Sequence, residues 1–397
     1  MYKYKRNGFT LVELMAVIII ISLIALLTFP NIINQIKKTK KSNNKMIEDV
    51  VIEQAKKYVS DNKDELLEDE YCMPISTLID NDYIKEDIVN INDIKDNKVV
   101  HITLDNNNSY EVLDKNKCFL SAVKYLLNKT NPITVTNYTD GDIHEMYTFE
   151  HEATEQTPAL TDYRYIGSDP NNYVEFNNEL WRIIGIFETD DGTGNYEKRV
   201  KIIRNEKLSS NMKWDLNKSN EWPTATLNIY LNGEYYDGLD EMGKSMISNA
   251  KYYLGGTHTY IENAETYYNF ERGMTVYNGR STSWNGKISL MYPSDNFYTY
   301  SLGVDDACYN DASKCSSTKG GTPSDGWIYN PSVKFTQWLL LPDSGNGYGA
   351  FVLYTNGALD GYVVLESFGV RPTLYLSSSV KITSGDGTKD NAYKLSM

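Results

Sequence analysis

Histidine and cysteine are scarce in this chain, which has four of each among 397 residues. The histidines at 101, 144, 151 and 258 lack the spacing of metal ligands, and no cysteine pair has the C-x-x-C spacing of zinc or redox sites. The sequence also has no phosphate-binding loop, no G-x-S-x-G and no H-E-x-x-H. We therefore expect no enzyme activity, no catalytic residues and no cofactor.

Positive charge is also in short supply. Thirty-nine lysine and arginine residues face 53 aspartate and glutamate residues, for a net charge of −14. Proteins that bind nucleic acid use clustered cations to neutralise phosphates, so nucleic acid is not an expected partner. The length is enough for about two domains with their own cores.

One long apolar run, Phe9–Phe29, stands out from this polar composition. It follows Lys3, Lys5 and Arg6, and its only charged residue is Glu13. As a helix it would be ~30 Å long, enough to cross a bilayer core. A carboxylate inside such a span costs at least ~2.5 kcal/mol, so Glu13 needs a partner.

The sequence Gly8-Phe9-Thr10-Leu11-Val12-Glu13, with the apolar run up to Pro30, resembles the N-terminus of type IV pilins and type II secretion pseudopilins. The resemblance implies cleavage after Gly8 by a prepilin peptidase, N-methylation of Phe9 and assembly with other pilin subunits into a filament. Cleavage would place a new α-amino cation near Glu13, and pairing lowers the cost of burying both charges. Pro30 should kink the helix.

Two other interpretations of this segment are an ordinary signal peptide and a plain membrane anchor. A signal peptide has an apolar core of about 7–15 residues and an A-x-A-like cleavage site, whereas this run is longer and lacks such a site. A lysine-rich stretch comes after the span, and the positive-inside rule would place the remainder of the chain in the cytoplasm. We give the processing pattern more weight. The expected precursor is a single-pass protein of the cytoplasmic membrane with its C-terminal domain outside, later part of an extracellular filament.

Residues 1–8 are the expected leader, and residues 9–126 the expected pilin-like domain. Ile47, Val51, Ala55 and Val59 form an apolar stripe that predicts packing of the second half of the long helix on a small sheet. Segments 98–104 and 109–113 alternate around Asp105–Asn108, which indicates a hairpin.

The cysteines form two pairs along the chain, one in each half. In an exported protein an even number of cysteines indicates disulfides, and we expect Cys72–Cys118 and Cys308–Cys315. The other pairings would join the two halves. Free thiols are the alternative.

Residues 127–159 are polar and are interpreted as a linker. Beyond it the composition changes: all six tryptophans and 23 of 32 tyrosines follow residue 160. The sequence therefore predicts a second domain at 160–397, mainly β with a few short helices, including 225–231 and 239–253, and long loops. The whole chain is expected to be α+β.

Parts of this domain carry a second resemblance. Leu180-Trp-Arg-Ile-Ile-Gly, Trp338-Leu-Leu-Leu-Pro, Asn356-Gly and Gly369-Val-Arg-Pro-Thr-Leu-Tyr-Leu look like bacterial surface domains related to the formylglycine-generating enzyme and C-type lectins. This resemblance implies a compact mixed domain whose loops bind ligands or proteins.

Candidate ligand-binding residues in these loops are aromatic, because tyrosine and tryptophan supply rigid contact area. They are Trp284, Tyr298, Tyr300, Trp327 and Tyr329. An equally weighted alternative is that several of them fill the core. Weak calcium candidates are Asp305, Asp306 and Asp311, since calcium prefers hard oxygen ligands. The alternative for that segment is a surface loop held by a disulfide.

These expectations combine into a minor or tip pilin-like subunit whose C-terminal domain serves adhesion or recognition of a host, surface or glycan ligand. The alternative is a pseudopilin of a type II secretion-like or DNA-uptake machine.

Overall fold

A computed structural model describes residues 44–63, 70–90, 94–104, 108–135, 144–260, 262–300, 326–328, 335–355 and 357–397. The chain divides into two compact units, Met1–Cys118 and Phe119–Met397. Within the described ranges, no helix combines the length and the apolar character needed to cross a membrane. The predicted span Phe9–Phe29 lies outside these ranges.

The first unit contains helix α1, described at 44–61, and a small sheet. The predicted stripe faces the core, because Val51 and Ala55 are fully buried and Val59 is nearly so. The sheet is antiparallel in the order β1–β2–β3. Its elements in chain order are β1 Glu70–Pro74, α2 Ile75–Asp80, α3 Glu86–Asn90, α4 Ile94–Asn97, β2 Lys98–Thr103 and β3 Ser109–Asp114.

The predicted hairpin is confirmed, with β2 and β3 paired from Lys98↔Asp114 to Thr103↔Ser109. The predicted disulfide Cys72–Cys118 is also present, with its Cα atoms 5.9 Å apart. It joins β1 to the segment after β3 and closes a long loop of this small unit.

The second unit is mainly β. Ten of the described strands form one sheet, in the order β13–β18–β9–β8–β6–β5–β4, with β7, β20 and β19 off this path. The elements of its first half are α5 Ala122–Thr130, β4 Ile133–Thr134, β5 Met146–His151, β6 Leu160–Tyr165, β7 Tyr173–Phe176, β8 Glu179–Asp190, β9 Tyr196–Arg204, β10 Met212–Lys213, α6 Thr226–Tyr230 and α7 Glu241–Met246. The α+β expectation agrees with these elements.

The second half adds shorter elements, including a three-stranded sheet in the order β14–β15–β16. They are β11 Ala250–Tyr253, α8 Ala264–Glu271, β12 Ser283–Gly286, β13 Ile288–Ser289, α9 Pro293–Phe297, β14 Gln337–Pro342, β15 Gly349–Leu353, β16 Leu359–Val363, β17 Ser367–Phe368, β18 Thr373–Tyr375, β19 Lys381–Ser384 and β20 Tyr393–Ser396.

The segment interpreted as a linker, 127–159, differs from that expectation. It contains the last four residues of α5 and all of β4 and β5, and β5 pairs with β6 from Met146↔Tyr165 to His151↔Leu160. Apolar side chains such as Met146 and Phe149 are buried there among the polar residues. The predicted helix 239–253 also differs, since α7 ends at Met246 and β11 comes after it.

Two local features fix the centre of the large sheet. Asn177 and Asn178 have φ of 53° and 58° in the turn between β7 and β8, as a type I′ hairpin requires. Gly185 lies at a register shift of β8 against β9. A Cβ at this position would lie 2.2 Å from the Tyr163 carbonyl oxygen, so only glycine allows β6 and β8 to approach this closely.

Candidate functional site

The predicted processing and assembly residues lie outside the described ranges. The same holds for the second cysteine pair, the calcium candidates and one of the aromatic candidates. These residues are Gly8, Phe9, Glu13, Pro30, Cys308, Cys315, Asp305, Asp306, Asp311 and Tyr329. For them, the predictions from the sequence stay predictions.

Three of the other four aromatic candidates are buried. Tyr298, Tyr300 and Trp327 are 2–4% exposed and belong to the core of the second unit. Trp284 is partly buried and packs against that core, with its ring 5.7 Å from the ring of Tyr252. The expected role of Tyr298, Tyr300 and Trp327 in ligand binding is therefore corrected to one in packing, because side chains sealed inside the unit offer no area to a partner. For the partly buried Trp284, ligand binding stays a prediction.

Polar atoms of these rings are satisfied inside the protein, which explains how they are buried. The indole N–H of Trp327 donates to the Tyr165 carbonyl oxygen at 2.9 Å. The Tyr298 hydroxyl donates to Glu265 at 2.7 Å. Such partners lie far away in sequence, so the residue types around Trp327 and Tyr298 could not reveal them.

Three other tyrosines share one face of the β14–β15–β16 sheet, of which Tyr348 and Tyr362 are exposed and Tyr354 is half-buried. Ala350 pairs with Tyr362, and Val352 with Asp360. The Val364 N–H donates to the Tyr348 carbonyl oxygen, and the Tyr354 N–H to that of Ala358. Because pairs two residues apart point the same way, one face carries what we call the tyrosine face: Tyr348, Tyr354, Asp360 and Tyr362.

The tyrosine face combines aromatic area with charge. Tyr348 is 46% exposed and Tyr362 is 37% exposed. The Tyr354 ring meets the Tyr362 ring edge-on at 6.1 Å, and the Tyr354 hydroxyl donates to Asp360 at 3.3 Å. The Lys218 ammonium lies 5.2 Å from the centre of the Tyr348 ring. Rings with adjacent charged groups can form contacts to a protein or a sugar.

A histidine–aspartate pair lies beside this sheet, at the end of β14. His258 is exposed, Asp343 is buried, and Nδ1 of the ring is 2.7 Å from an Asp343 carboxylate oxygen. The Gly345 N–H also donates to that oxygen, at 2.8 Å. Burial raises the pKa of nearby Tyr260, and the Asp343 and Asp360 carboxylates raise it further. The contact with Asp343 fixes the orientation of the His258 ring at the surface.

A groove of about 450 Å³ opens between the start of β10 and α6. Its lining mixes leucines with serine, threonine and asparagine side chains, and Lys213 is its one charged residue. The lining of this groove therefore contains no pairing of an acidic with a basic side chain, as acid–base catalysis would need.

A dense group of charges among the described residues of the second unit is buried. Arg164 donates to Asp162 at 2.7 Å and to Asp295 at 3.4 Å, and Lys201 donates to Asp295 at 2.5 Å. The four side chains are each 1–2% exposed. Burial by itself would raise the pKa of Asp162, but Arg164 and His151 lower it well below its usual range.

A second part of this buried group joins α8 to α9. Glu271 accepts from the N–H and the hydroxyl of Ser294, and its carboxylate is 3.2 Å from Arg272. Burial raises the pKa of Glu271 to about 7, against the pull of Arg272. His151 stacks on Tyr268 at 3.6 Å. Sealed from solvent, these charges connect β6, β9, α8 and α9 and can fix the positions of those elements.

No group of three or more metal-binding side chains is found in the part of the chain that the structure describes. The calcium candidates lie elsewhere, so calcium stays a prediction.

Comparison with known proteins gives one finding, at the N-terminus. Residues 3–29 match the prokaryotic N-terminal methylation motif. No curated protein matches the chain, and no solved structure does, so the resemblance of the second unit to the formylglycine-generating enzyme and C-type lectins gains no support. The motif covers residues 3–8 of the expected leader and the whole apolar run Phe9–Phe29, including Glu13. It supports a type IV pilin-like or pseudopilin precursor, processed by prepilin peptidase and assembled with other pilins.

Proposed function

We propose that the mature protein is a minor or tip subunit of a surface filament, and that its second unit recognises a ligand outside the cell. The observation that carries this proposal is the size of the added unit. Phe119–Met397 is more than twice as long as Met1–Cys118 and has its own large core. A unit of this size at every position would crowd a helical shaft, whereas a tip or an occasional position leaves room for it.

The first unit supplies the assembly function in this proposal. Its buried stripe on α1 and its small sheet form a separate core, and the N-terminal motif supplies the segment that enters the filament. After cleavage, the Phe9 amine and the Glu13 carboxylate would neutralise each other in a packed helix core. Such a pair fixes the axial register between neighbouring subunits, because any other register would leave each charge buried without its partner.

The first experiment measures the mature N-terminus of the protein in sheared filaments by mass spectrometry. The proposal expects a chain that begins at N-methylated Phe9. A chain that still begins at Met1, or at any residue other than Phe9, contradicts the filament proposal.

The Glu13 pairing is tested with Glu13→Gln, which should still be cleaved but should assemble poorly. The matched control is Glu53→Gln, since Glu53 is an exposed helical glutamate that pairs with the exposed Lys56 at 2.7 Å. Filament yield by shearing and immunoblot should fall only for Glu13→Gln. Normal filaments from that variant would refute the pairing argument.

The position in the filament is tested with gold-labelled antibodies against residues 119–397. Label at filament ends or at sparse sites supports a minor or tip subunit. Uniform label along every filament identifies a major subunit instead.

The tyrosine face is the surface we propose for recognition, because the rings of Tyr348 and Tyr362 are exposed and the face carries charged groups. Glycan and protein arrays probed with residues 119–397 should give binding that Tyr348→Ala and Tyr362→Ala weaken. The matched control is Met242→Ala, since Met242 is an exposed apolar side chain on α7. Binding unaffected by both tyrosine substitutions would remove the tyrosine face from the proposal.

A pseudopilin of a secretion or DNA-uptake machine is the second candidate, because pilins and pseudopilins share the N-terminal motif. Deletion distinguishes the two. Loss of secretion or DNA uptake with normal attachment supports the pseudopilin, whereas loss of attachment supports the filament subunit. The protein is proposed as a binding protein without catalytic activity in both cases.

A further inference from the structure

Four of the six tryptophans contact one another in series through the second unit. The ring centres of Trp284 and Trp222 are 6.2 Å apart, those of Trp222 and Trp214 are 4.9 Å apart, and those of Trp214 and Trp338 are 5.8 Å apart. Trp284 is partly buried, whereas the other three are 0–1% exposed. We call these four residues the indole chain. It begins near the surface and continues into the core.

The ring contacts continue from Trp338 back to the surface at the tyrosine face. Phe368 lies 5.0 Å from Trp338 and 5.1 Å from Tyr362. Tyr362 then contacts Tyr354 at 6.1 Å. The aromatic contacts therefore connect a partly exposed indole, through the core, to the exposed phenol of Tyr362 and the half-buried phenol of Tyr354. Phe368 is the one ring of the series that is not easily oxidised.

Proton acceptors are distributed unevenly along this series. The indole N–H groups of Trp214 and Trp222 have no acceptor among the described residues, and that of Trp338 donates to the Met212 carbonyl oxygen, a very weak base. At the far end, the Tyr354 hydroxyl donates to the Asp360 carboxylate at 3.3 Å. An oxidised indole that cannot release its proton remains a strong oxidant, whereas a phenol beside a carboxylate can lose an electron and a proton together.

We propose that this series of rings is a conduit that carries an oxidising equivalent from Trp284 to Tyr354. A one-electron oxidant in solution takes an electron from Trp284 and is itself reduced. Trp222, Trp214 and Trp338 then give up an electron in turn, each to the oxidised neighbour nearer Trp284. Tyr362 next gives an electron to Trp338 past Phe368, and Tyr354 finally gives one to Tyr362. Tyr354 gives its proton to Asp360 and remains as a neutral tyrosyl radical.

The conduit is completed at the surface. A soluble thiol can return one hydrogen atom to Tyr354, which restores the phenol and leaves a thiyl radical in solution. Asp360 releases to water the proton that it received from Tyr354 and returns to its carboxylate form. Oxidation received by the second unit would thus be repaired at an accessible tyrosine and would not accumulate in the buried indoles. A protein outside the cell meets oxidising conditions, so such a route has a use there.

The test places a photo-oxidant at the entrance of the conduit. Asn285 is exposed and adjacent to Trp284 on β12. Full-length Asn285→Cys is labelled with a ruthenium photosensitiser, and a soluble electron acceptor generates ruthenium(III) after a flash. The chain without Asn285→Cys is treated identically to measure background labelling. Time-resolved absorption follows the radicals, and a spin trap with peptide mass spectrometry locates them.

The expected result is a tyrosyl radical trapped on Tyr354. Trp222→Phe, added to the labelled chain, should abolish trapping on Tyr354. The matched control is Trp181→Phe, because Trp181 is equally buried, also lacks an acceptor for its N–H among the described residues, and contacts Phe176 outside the conduit. This control should trap the radical on Tyr354 as the labelled parent does.

Two further variants keep the test decisive if Trp222→Phe folds poorly. Tyr354→Phe, near the surface, should move the trapped radical to Tyr362 or the indole chain. Asp360→Asn removes the proton acceptor and should slow the appearance of the Tyr354 radical. Equal trapping on Tyr354 with Trp222→Phe and Trp181→Phe overturns the proposal. Trapping that stays outside the indole chain, Tyr362 and Tyr354 in every variant also overturns it.

Discussion

The Asp295 carboxylate lies between two buried cations, Arg164 and Lys201. The variant Asp295→Asn tests how much this negative charge stabilises the fold. Asp295 accepts hydrogen bonds from Lys201 and Arg164 and from the backbone N–H of Tyr292 at the start of α9. Asparagine keeps an acceptor for Arg164 or Tyr292 but removes the negative charge. Arg164 still has Asp162 at 2.7 Å, so the cation that loses its partner is Lys201.

The size of the effect follows from burial. Lys201 and Asp295 are each 1% exposed, and removing one partner of a buried ion pair costs ~3–5 kcal/mol. The hydrogen bonds that asparagine can still accept favour the lower end of this range, so we expect the unfolding free energy to fall by about 3 kcal/mol. Adding Lys201→Met removes the unpaired cation and should recover about 2 kcal/mol, since apolar replacement of a buried pair is often close to neutral.

Urea unfolding followed by tryptophan fluorescence measures these changes, because all six tryptophans lie in the second unit. The control is Glu175→Gln. Glu175 pairs with Lys394 across β7 and β20, and both side chains are more than 40% exposed. An exposed pair contributes ~0–1 kcal/mol, so the control should differ little from wild type.

The pH dependence supplies a second readout. Burial lowers the pKa of Lys201, and Asp295 opposes this shift. In Asp295→Asn the pKa of Lys201 in the folded chain should fall further below its value in the unfolded chain. Between these two pKa values the folded chain then binds fewer protons than the unfolded chain. The stability deficit of the variant should therefore shrink as the pH increases from about 7 to about 10. A deficit below ~1 kcal/mol at pH 7, equal to the control, would refute the account of a coupled buried pair.

Three further predictions concern other parts of the structure. Reducing Cys72–Cys118, which are 46 residues apart, should destabilise the first unit by about 4 kcal/mol, measured as faster hydrogen exchange in β2. Because burial raises the pKa of Glu271 to about 7 from 4.5, the folded chain retains a proton that the unfolded chain loses. Unfolding free energy should thus fall by about 3 kcal/mol as the pH rises from about 4.5 to about 7; Glu271→Gln should flatten this slope, and an unchanged slope would contradict the assignment. Gly185→Ala should cost ~1–3 kcal/mol in urea unfolding, since its Cβ would meet the Tyr163 carbonyl oxygen; wild-type stability would refute the close approach.

Features set by neighbouring residues were predictable from the sequence. The i, i+4 stripe on α1 and the β2–β3 hairpin need only short-range periodicity, and both are present. The turn between β7 and β8 was predictable because Asn177 and Asn178 tolerate positive φ better than most residues. The Cys72–Cys118 bridge was predictable from two cysteines within one small domain.

Features set by distant residues were not predictable. Lys201 and Asp295 are 94 positions apart, and in the sequence each is an ordinary charged residue that would be assigned to the surface. Tyr298 and Trp327 are typical of contact surfaces by residue type, yet they are buried because Glu265 and a backbone carbonyl satisfy their polar atoms. The strand β5 was missed because its apolar residues lie within a segment of polar composition.

Assembly and recognition are assigned to different units, and this separation makes the proposed function testable as a whole. Glu13→Gln should reduce filaments while residues 119–397 still bind their ligand, because Glu13 is not part of that unit. Tyr348→Ala should reduce ligand binding while filaments form normally. If Tyr348→Ala prevented filament formation, the tyrosine face would be a contact between subunits, and the second unit would belong to the shaft. That outcome would also favour uniform antibody label along the filament, so the two measurements check each other.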